Sequence, residues 1–199
     1  MKQLFLTLSM IMVLYSAIAQ QKKYIGAAIV TTQNAMPFGK FVGLFKETIH
    51  PGIEFHLGKN FKTMEKHDWF GELRAGYFFH RFVQHGLPIS INAGYRYKFT
   101  ARFSAQASIG GGYMHSIPAT AKLKADQEGN YTNDKGVGRM QASATFDIGL
   151  AFIPDFTAKK QIRFFITYQQ RIQMPFVKSY VPLLPYNNFL FGFSKPISR

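Results

Sequence analysis

Histidine beside serine is the most reactive pairing of side chains in this sequence. His115 and Ser116 are adjacent, and a histidine held by an acid can activate a serine hydroxyl as a nucleophile. Neighbours in an extended chain point to opposite faces, so this pair does not fit a catalytic set on a strand. The other histidines are His50, His56, His67, His80 and His85. None of them has the spacing of a metal site, so we predict no catalytic residue, no metal and no cofactor.

Two further stretches resemble ligand sites only loosely. The segment DQEGNYTND at 126–134 carries three acidic residues but lacks the spacing of an EF-hand, which favours a solvated loop over a calcium site. Gly110, Gly111 and Gly112 lie in a strand pattern, and no helix follows them. Close backbone packing or a bend therefore explains these glycines better than phosphate binding.

Residues 138–154, GRMQASATFDIGLAFIP, alternate apolar and polar side chains along their whole length. A period of two is typical of a β-strand with two different environments. The pattern recurs and predicts strands at 38–47, 51–62, 67–83, 87–99, 102–115, 138–153, 160–173 and 186–197. Residues 24–32 are an alternative first strand, or a segment that packs on the barrel. The sequence therefore predicts an all-β protein, an eight-stranded antiparallel up-and-down barrel.

The N-terminus indicates export. One lysine, an apolar run and the small-residue site Ala17-Ile18-Ala19 predict a signal peptide over 1–19 that is cleaved after Ala19, with an uncleaved membrane anchor as the alternative. We expect a lead-in segment at 20–37 and the barrel at 38–199. The formal net charge is +14, but an exported protein rarely meets nucleic acid, so anionic lipid is the better partner. The chain has no cysteine, which excludes disulfides.

The alternation allows either a soluble barrel with its apolar set inside or a membrane barrel with that set outside. Export, the even strand number and an inner set of small and charged residues favour the membrane barrel. The predicted lumen ions are Glu54, Glu72, Arg74, Arg96, Asp147, Arg163 and Arg171. We expect Asp147 to pair with Arg163 or Arg171, and Glu72 to pair with Lys98 or Arg96.

Aromatic and basic residues cluster near the predicted turns. The aromatic set, expected at the membrane interfaces, is Phe61, Trp69, Tyr97, Phe99, Phe103, Phe152 and Tyr168, with Tyr186 among those nearer the long loops. The basic set, expected at lipid headgroups, is Lys62, Lys66, Arg102, Lys159 and Lys160. Short connections alternate with the long loops 116–137 and 173–186, as in outer-membrane barrels.

On these patterns the chain resembles the small outer-membrane β-barrel proteins of Gram-negative bacteria, such as OmpX and the barrel half of OmpA, over about 38–197. The resemblance implies a filled lumen, residence in the outer membrane with its lipids and lipopolysaccharide, and assembly by the insertion machinery. Phe189, Phe191 and Phe193 give the alternating end pattern, but SKPISR follows them where the family commonly ends on an aromatic residue.

We therefore expect a non-enzymatic barrel with a structural or interaction role, meeting a protein partner through loops 116–137 and 173–186. The alternatives are an accessory subunit of a larger outer-membrane complex, a soluble exported lipocalin-like binder of an apolar ligand, and a lipid A-modifying enzyme. Related deacylase barrels use a His-x-Ser pair, which this sequence lacks.

Overall fold

The computed structural model describes residues 23–35, 48–121, 123–133, 135–155, 161–176 and 182–197. The strands are β1 (Lys23–Asn34), β2 (His50–Thr63), β3 (His67–His80), β4 (Gln84–Lys98), β5 (Phe103–Pro118), β6 (Leu123–Ala125), β7 (Tyr131–Asn133), β8 (Arg139–Phe152), β9 (Arg163–Met174) and β10 (Leu184–Pro196). Among these described residues, no helix is long and apolar enough to cross a membrane.

Eight of the strands form one closed barrel in the order β1-β10-β9-β8-β5-β4-β3-β2. All eight pairings are antiparallel, and β1 closes the barrel by pairing with both β2 and β10. The short strands β6 and β7 form a separate hairpin inside the connection between β5 and β8. The predicted eight-stranded antiparallel barrel is confirmed.

The first strand of the barrel is β1, so the alternative strand at 24–32 is confirmed. The predicted strand 38–47 lies outside the described residues, as does the predicted signal peptide. The barrel therefore begins at Lys23 instead of residue 38. Small residues such as Gly26 and Ala28 weaken the period-two signal of β1, but they fit a narrow interior: a Cβ on Gly26 would lie 2.2 Å from the His56 ring.

The two ends of the barrel carry different sets of connections between strands. The long-loop end carries the connections 35–49, 81–83, 119–138 and 175–183. The short-turn end carries the connections 64–66, 99–102 and 153–162, together with the start of β1 and the end of β10. The predicted asymmetry is present in part: the two longest connections, 35–49 and 119–138, are at the long-loop end. There are two exceptions, because 81–83 at the long-loop end has three residues, and 153–162 at the short-turn end has ten residues, one more than 175–183. In the connection 81–83 the amide of Val83 donates to the carbonyl of His80, so the turn ends β3 before residue 83.

The barrel wall has an apolar outer face and a polar inner face. Ile91 is 71% exposed on the outside, and its neighbour Asn92 is fully buried inside. On β8, Phe146, Ile148 and Leu150 face outward while the residues between them face inward. The predicted orientation is therefore confirmed, and it is the reverse of a soluble barrel.

The glycine run of β5 marks a close approach between strands. A Cβ on Gly112 would lie 2.1 Å from the carbonyl oxygen of Ile89, and one on Gly110 would lie 2.4 Å from the side-chain amide of Asn92. Gly111 faces outward and would meet only one atom, at 3.9 Å. These contacts agree with the close packing predicted for the run.

Candidate functional site

The interior of the barrel collects the charged side chains of five strands. Each of the predicted lumen ions lies on the inward-facing set of its strand: Glu54, Glu72, Arg74, Arg96, Asp147, Arg163 and Arg171. Six of the seven are buried, and Arg163, the first residue of β9, is partly buried. Period-two alternation alone was enough to place them inside.

Arg74 is the centre of the ionic network. Its guanidinium lies 2.7 Å from Glu72, 3.0 Å from Asp147 and 3.7 Å from Glu54. Glu54 is also 3.0 Å from Arg171. Asp147 further accepts hydrogen bonds from Ser108 at 2.7 Å and Asn92 at 3.1 Å. A buried charge is stable only when it is paired and hydrogen-bonded. Each of the three carboxylates has an arginine partner and accepts a hydrogen bond, while among the described residues Oδ1 of Asp147 and Nε of Arg171 have no hydrogen-bond partner.

The predicted pairing partners were wrong. Asp147 pairs with Arg74 instead of Arg163 or Arg171, and Glu72 also pairs with Arg74 instead of Lys98 or Arg96. The prediction assumed that partners lie on neighbouring strands. Arg74 is on β3 and Asp147 on β8, with two strands between them in the sheet, so the contact spans the lumen. Eight strands make a barrel narrow enough for side chains on opposite walls to meet.

Asp68 is an inner acid that is not among the predicted lumen ions. Its carboxylate lies 2.7 Å from the Lys98 ammonium and 3.6 Å from the Arg96 guanidinium. Lys98 also donates to the carbonyl of Met64 at 2.8 Å, which ties the ion pair to the turn after β2. Asp68 is in phase with Glu72 and Arg74 on β3, so the same alternation could have found it.

A second polar cluster fills the long-loop end of the lumen. Gln84 donates to the side-chain carbonyl of Gln173 at 2.6 Å, and the Tyr186 hydroxyl donates to the same oxygen at 3.0 Å. Gln173 in turn donates to Gln141, and Gln141 accepts from Ser116. Tyr186 is fully buried here, so its predicted place in an outer aromatic girdle was wrong. It is in phase with the inward residues of β10.

Aromatic side chains form a belt on the outer wall at the short-turn end. The ring of Tyr97 contacts that of Phe99, and the ring of Phe103 contacts that of Phe152. Phe61 and Trp69 are exposed on the same level. Tyr168 differs, because it lies midway along β9, contacts the Phe189 ring and donates to Asn187 at 2.8 Å.

The remaining predicted site residues lie at the two ends of the barrel. Lys62, Lys66 and Arg102 are exposed at the short-turn end, and Lys159 and Lys160 lie outside the described residues. At the long-loop end, the Asp126 carboxylate accepts from the amides of Glu128 and Asn130 at 2.9 and 2.8 Å. This acid therefore holds the turn of the β6–β7 hairpin.

His115 and Ser116 point to opposite sides of the wall, as predicted. Ser116 is buried in the lumen with Gln141, and His115 lies outside, 2.8 Å from the Tyr113 hydroxyl. Within the part of the chain that is described, no three histidine or acidic side chains converge as metal ligands would.

An apolar outer wall around an ion-filled lumen is the arrangement of a transmembrane β-barrel. The architecture is that of the small outer-membrane barrels. The attachment invasion locus protein Ail of Yersinia pestis matches with a TM-score of 0.51 at 14% identity, over 89% of this chain and 97% of that one. Neisserial surface protein A matches with a TM-score of 0.51 at 8% identity, over the same shares.

The outer membrane enzyme PagL matches with a TM-score of 0.45 at 12% identity, over 87% of this chain and 99% of that one. At such identities the similarity establishes the fold alone. No protein-family model and no curated protein sequence matches the chain.

Proposed function

We propose that this protein is a non-enzymatic, integral barrel of the outer membrane that acts through its external loops and not through its lumen. The observation that carries the proposal is the filled interior. Arg74 and its carboxylates close the middle of the lumen, and the Gln84–Gln141–Gln173 cluster closes the long-loop end. A barrel packed in this way supports no open path for solutes.

The loops supply the surface for interaction. The connection 119–138 contains the β6–β7 hairpin, whose residues are all exposed. The connections 119–138 and 175–183 correspond to the central parts of the predicted loops 116–137 and 173–186. The asymmetry of the two ends supports an orientation with the long-loop end outside the cell. A protein partner, including a larger outer-membrane complex, would meet the barrel at this end.

Basic residues support lipid contacts at both ends. Lys62, Lys66 and Arg102 lie where the short turns would meet phospholipid headgroups on the periplasmic side. Lys124 and Lys135 lie in the connection after β5, where lipopolysaccharide phosphates would be available. The exposed apolar wall between these levels supports residence in the membrane, which requires delivery by the insertion machinery.

Two of the alternatives lack structural support. A soluble binder of an apolar ligand needs an apolar interior, whereas the buried set here is dominated by polar side chains. A lipid A-modifying enzyme of the Ser–His type needs both groups on one face, whereas His115 and Ser116 are on opposite faces.

The test compares the full chain with a variant in which 121–136 is replaced by a short turn. We expect both proteins to fractionate with the outer membrane and to show heat-modifiable migration, because the hairpin lies outside the barrel. Partners cross-linked to the full chain should be lost from the loop variant. Stable conductance in planar bilayers, or altered lipid A in cells that overexpress the protein, would overturn the proposal.

A further inference from the structure

The lumen contains a small cavity between the Arg74 network, which forms part of its lining, and the short-turn end. It has room for roughly one water-sized particle. Tyr24, His56, Arg96, Arg163 and Thr167 are among the side chains that line it, together with Arg74 and the carboxylates of Glu54 and Glu72. Because Arg163 begins β9 and is only partly buried, the cavity lies within reach of the short-turn end.

Three of the lining groups carry a polar atom that makes no hydrogen bond. These atoms are Nη1 of Arg96, which lies 3.6 Å from a carboxylate oxygen of Asp68, Nε of Arg163 and Oγ1 of Thr167, and all three are buried. Arg96 is only 2% exposed as a residue. Two of the atoms are obligatory donors on cations, and the third is a hydroxyl that can donate. An unsatisfied buried donor costs free energy, so a cavity lined by three of them favours an acceptor.

The two carboxylates that line the cavity, Glu54 and Glu72, already have cationic partners. Glu72 accepts from Arg74 at 2.7 Å and from the Tyr24 hydroxyl at 2.8 Å. Glu54 lies between Arg74 and Arg171. Neither carboxylate lies within ion-pair distance of Arg163, whose guanidinium instead lies over the Tyr24 ring at 5.9 Å.

The charges of the lumen leave an excess of one cation. The described inner acids are Glu54, Asp68, Glu72 and Asp147, and the described inner bases are Arg74, Arg96, Lys98, Arg163 and Arg171. The Asp68 carboxylate forms an ion pair with both Arg96 and Lys98. Within the described lumen, Arg163 is the base without a carboxylate partner.

We propose that this cavity is a binding site for a small monovalent anion, with chloride as the occupant in the cell. The anion would accept from Arg96, Arg163 and Thr167 and would neutralise the unpaired charge. A halide is larger than a water molecule, so the flexible side chains of Arg96 and Arg163 would move apart to admit it. A carboxylate metabolite or a phosphate group is too large for it.

The experiment measures urea unfolding of the full chain, refolded in detergent, in sodium chloride, sodium bromide and sodium gluconate at one ionic strength. Constant ionic strength is needed because screening alone changes charged interactions. We expect the folding equilibrium constant to be about tenfold larger in a halide at about ten times its dissociation constant than in gluconate. Crystals soaked in bromide should show an anomalous peak between Arg96 and Arg163.

Two variants and one control connect this effect to the cavity. Arg163→Gln and Thr167→Val should each reduce the halide preference, the first because it removes the unpaired charge and the second because it removes a donor without changing the charge. Arg81→Gln, at an exposed turn residue, should retain the full preference. Equal stability of the unmodified chain in all three salts, no bromide peak in the cavity, or a full preference in Arg163→Gln would overturn the proposal.

Discussion

Replacing Arg74 with methionine is the sharpest test of the inner network. Methionine retains much of the length and volume of the side chain but removes the guanidinium. Glu54 keeps Arg171 as a partner at 3.0 Å. Among the described residues, Glu72 keeps the hydroxyl of Tyr24 as its only hydrogen-bond donor. Asp147 keeps neutral donors, so within the described residues two carboxylates lose their only cation.

The expected loss of stability follows from these leftover charges. Leaving one buried charge without its partner costs about 3–5 kcal/mol. We therefore expect Arg74→Met to lower the free energy of unfolding by at least about 3 kcal/mol. Neutralising the acids should restore most of it, because a buried ion pair contributes little beyond a well-packed neutral replacement. The rescue variant combines Arg74→Met with Glu72→Gln and Asp147→Asn.

The assay is urea unfolding in detergent micelles, followed by tryptophan fluorescence. The chain has one tryptophan, Trp69, which lies exposed on the outer wall and reports the loss of its micelle environment. Arg81→Met, at an exposed turn, is the matched control and should change stability little. If Arg74→Met is no more destabilising than this control, or if the neutral triple variant is worse than Arg74→Met, the reasoning about the network is refuted.

The other predictions concern orientation and packing. A spin label at Ile91 should be accessible to lipid-soluble oxygen and one at Asn92 should not. The reverse result would show that the apolar set faces the lumen and the polar set faces lipid. Gly112→Ala should lower the free energy of unfolding by about 1–3 kcal/mol, because its Cβ would meet main-chain atoms of β4. Gly111→Ala should be tolerated, and equal urea midpoints for the two variants would contradict this prediction. Gln173→Leu should cost about 1–3 kcal/mol by leaving its amide partners unsatisfied, and an unchanged urea midpoint would show that the glutamine cluster does not stabilise the barrel.

The sequence predicted which residues lie inside because that property is local. Asp147 faces the lumen since every second residue of β8 does, and a single strand is enough to show it. The same rule, applied without exception, would have placed Asp68 and Tyr186 inside as well. The strand β1 was harder to recognise because its inward positions include Gly26 and Ala28, which blur the contrast between faces.

The pairings were not predictable in the same way, because they depend on the closed barrel as a whole. Which residue of β3 lies at the level of Asp147 follows from the stagger of every pairing between them. A long side chain such as Arg74 then selects among the acids within its reach. The register of a single hairpin is visible in sequence, but the sum of several registers around a barrel is not.

The inner ions also explain how the strands keep their register in a membrane. A slip of one residue would move an entire strand's inner set to the outer face. For β3 that set includes Asp68, Glu72 and Arg74. Exposing an arginine to lipid near the midplane costs about 2–4 kcal/mol, and exposing an acid costs less. The same slip would cost much less free energy in a strand whose inner residues were polar but uncharged. The ion network therefore contributes to specificity of register even where its net contribution to stability is small, and the rescued Arg74 triple variant should fold stably but with a less uniform register.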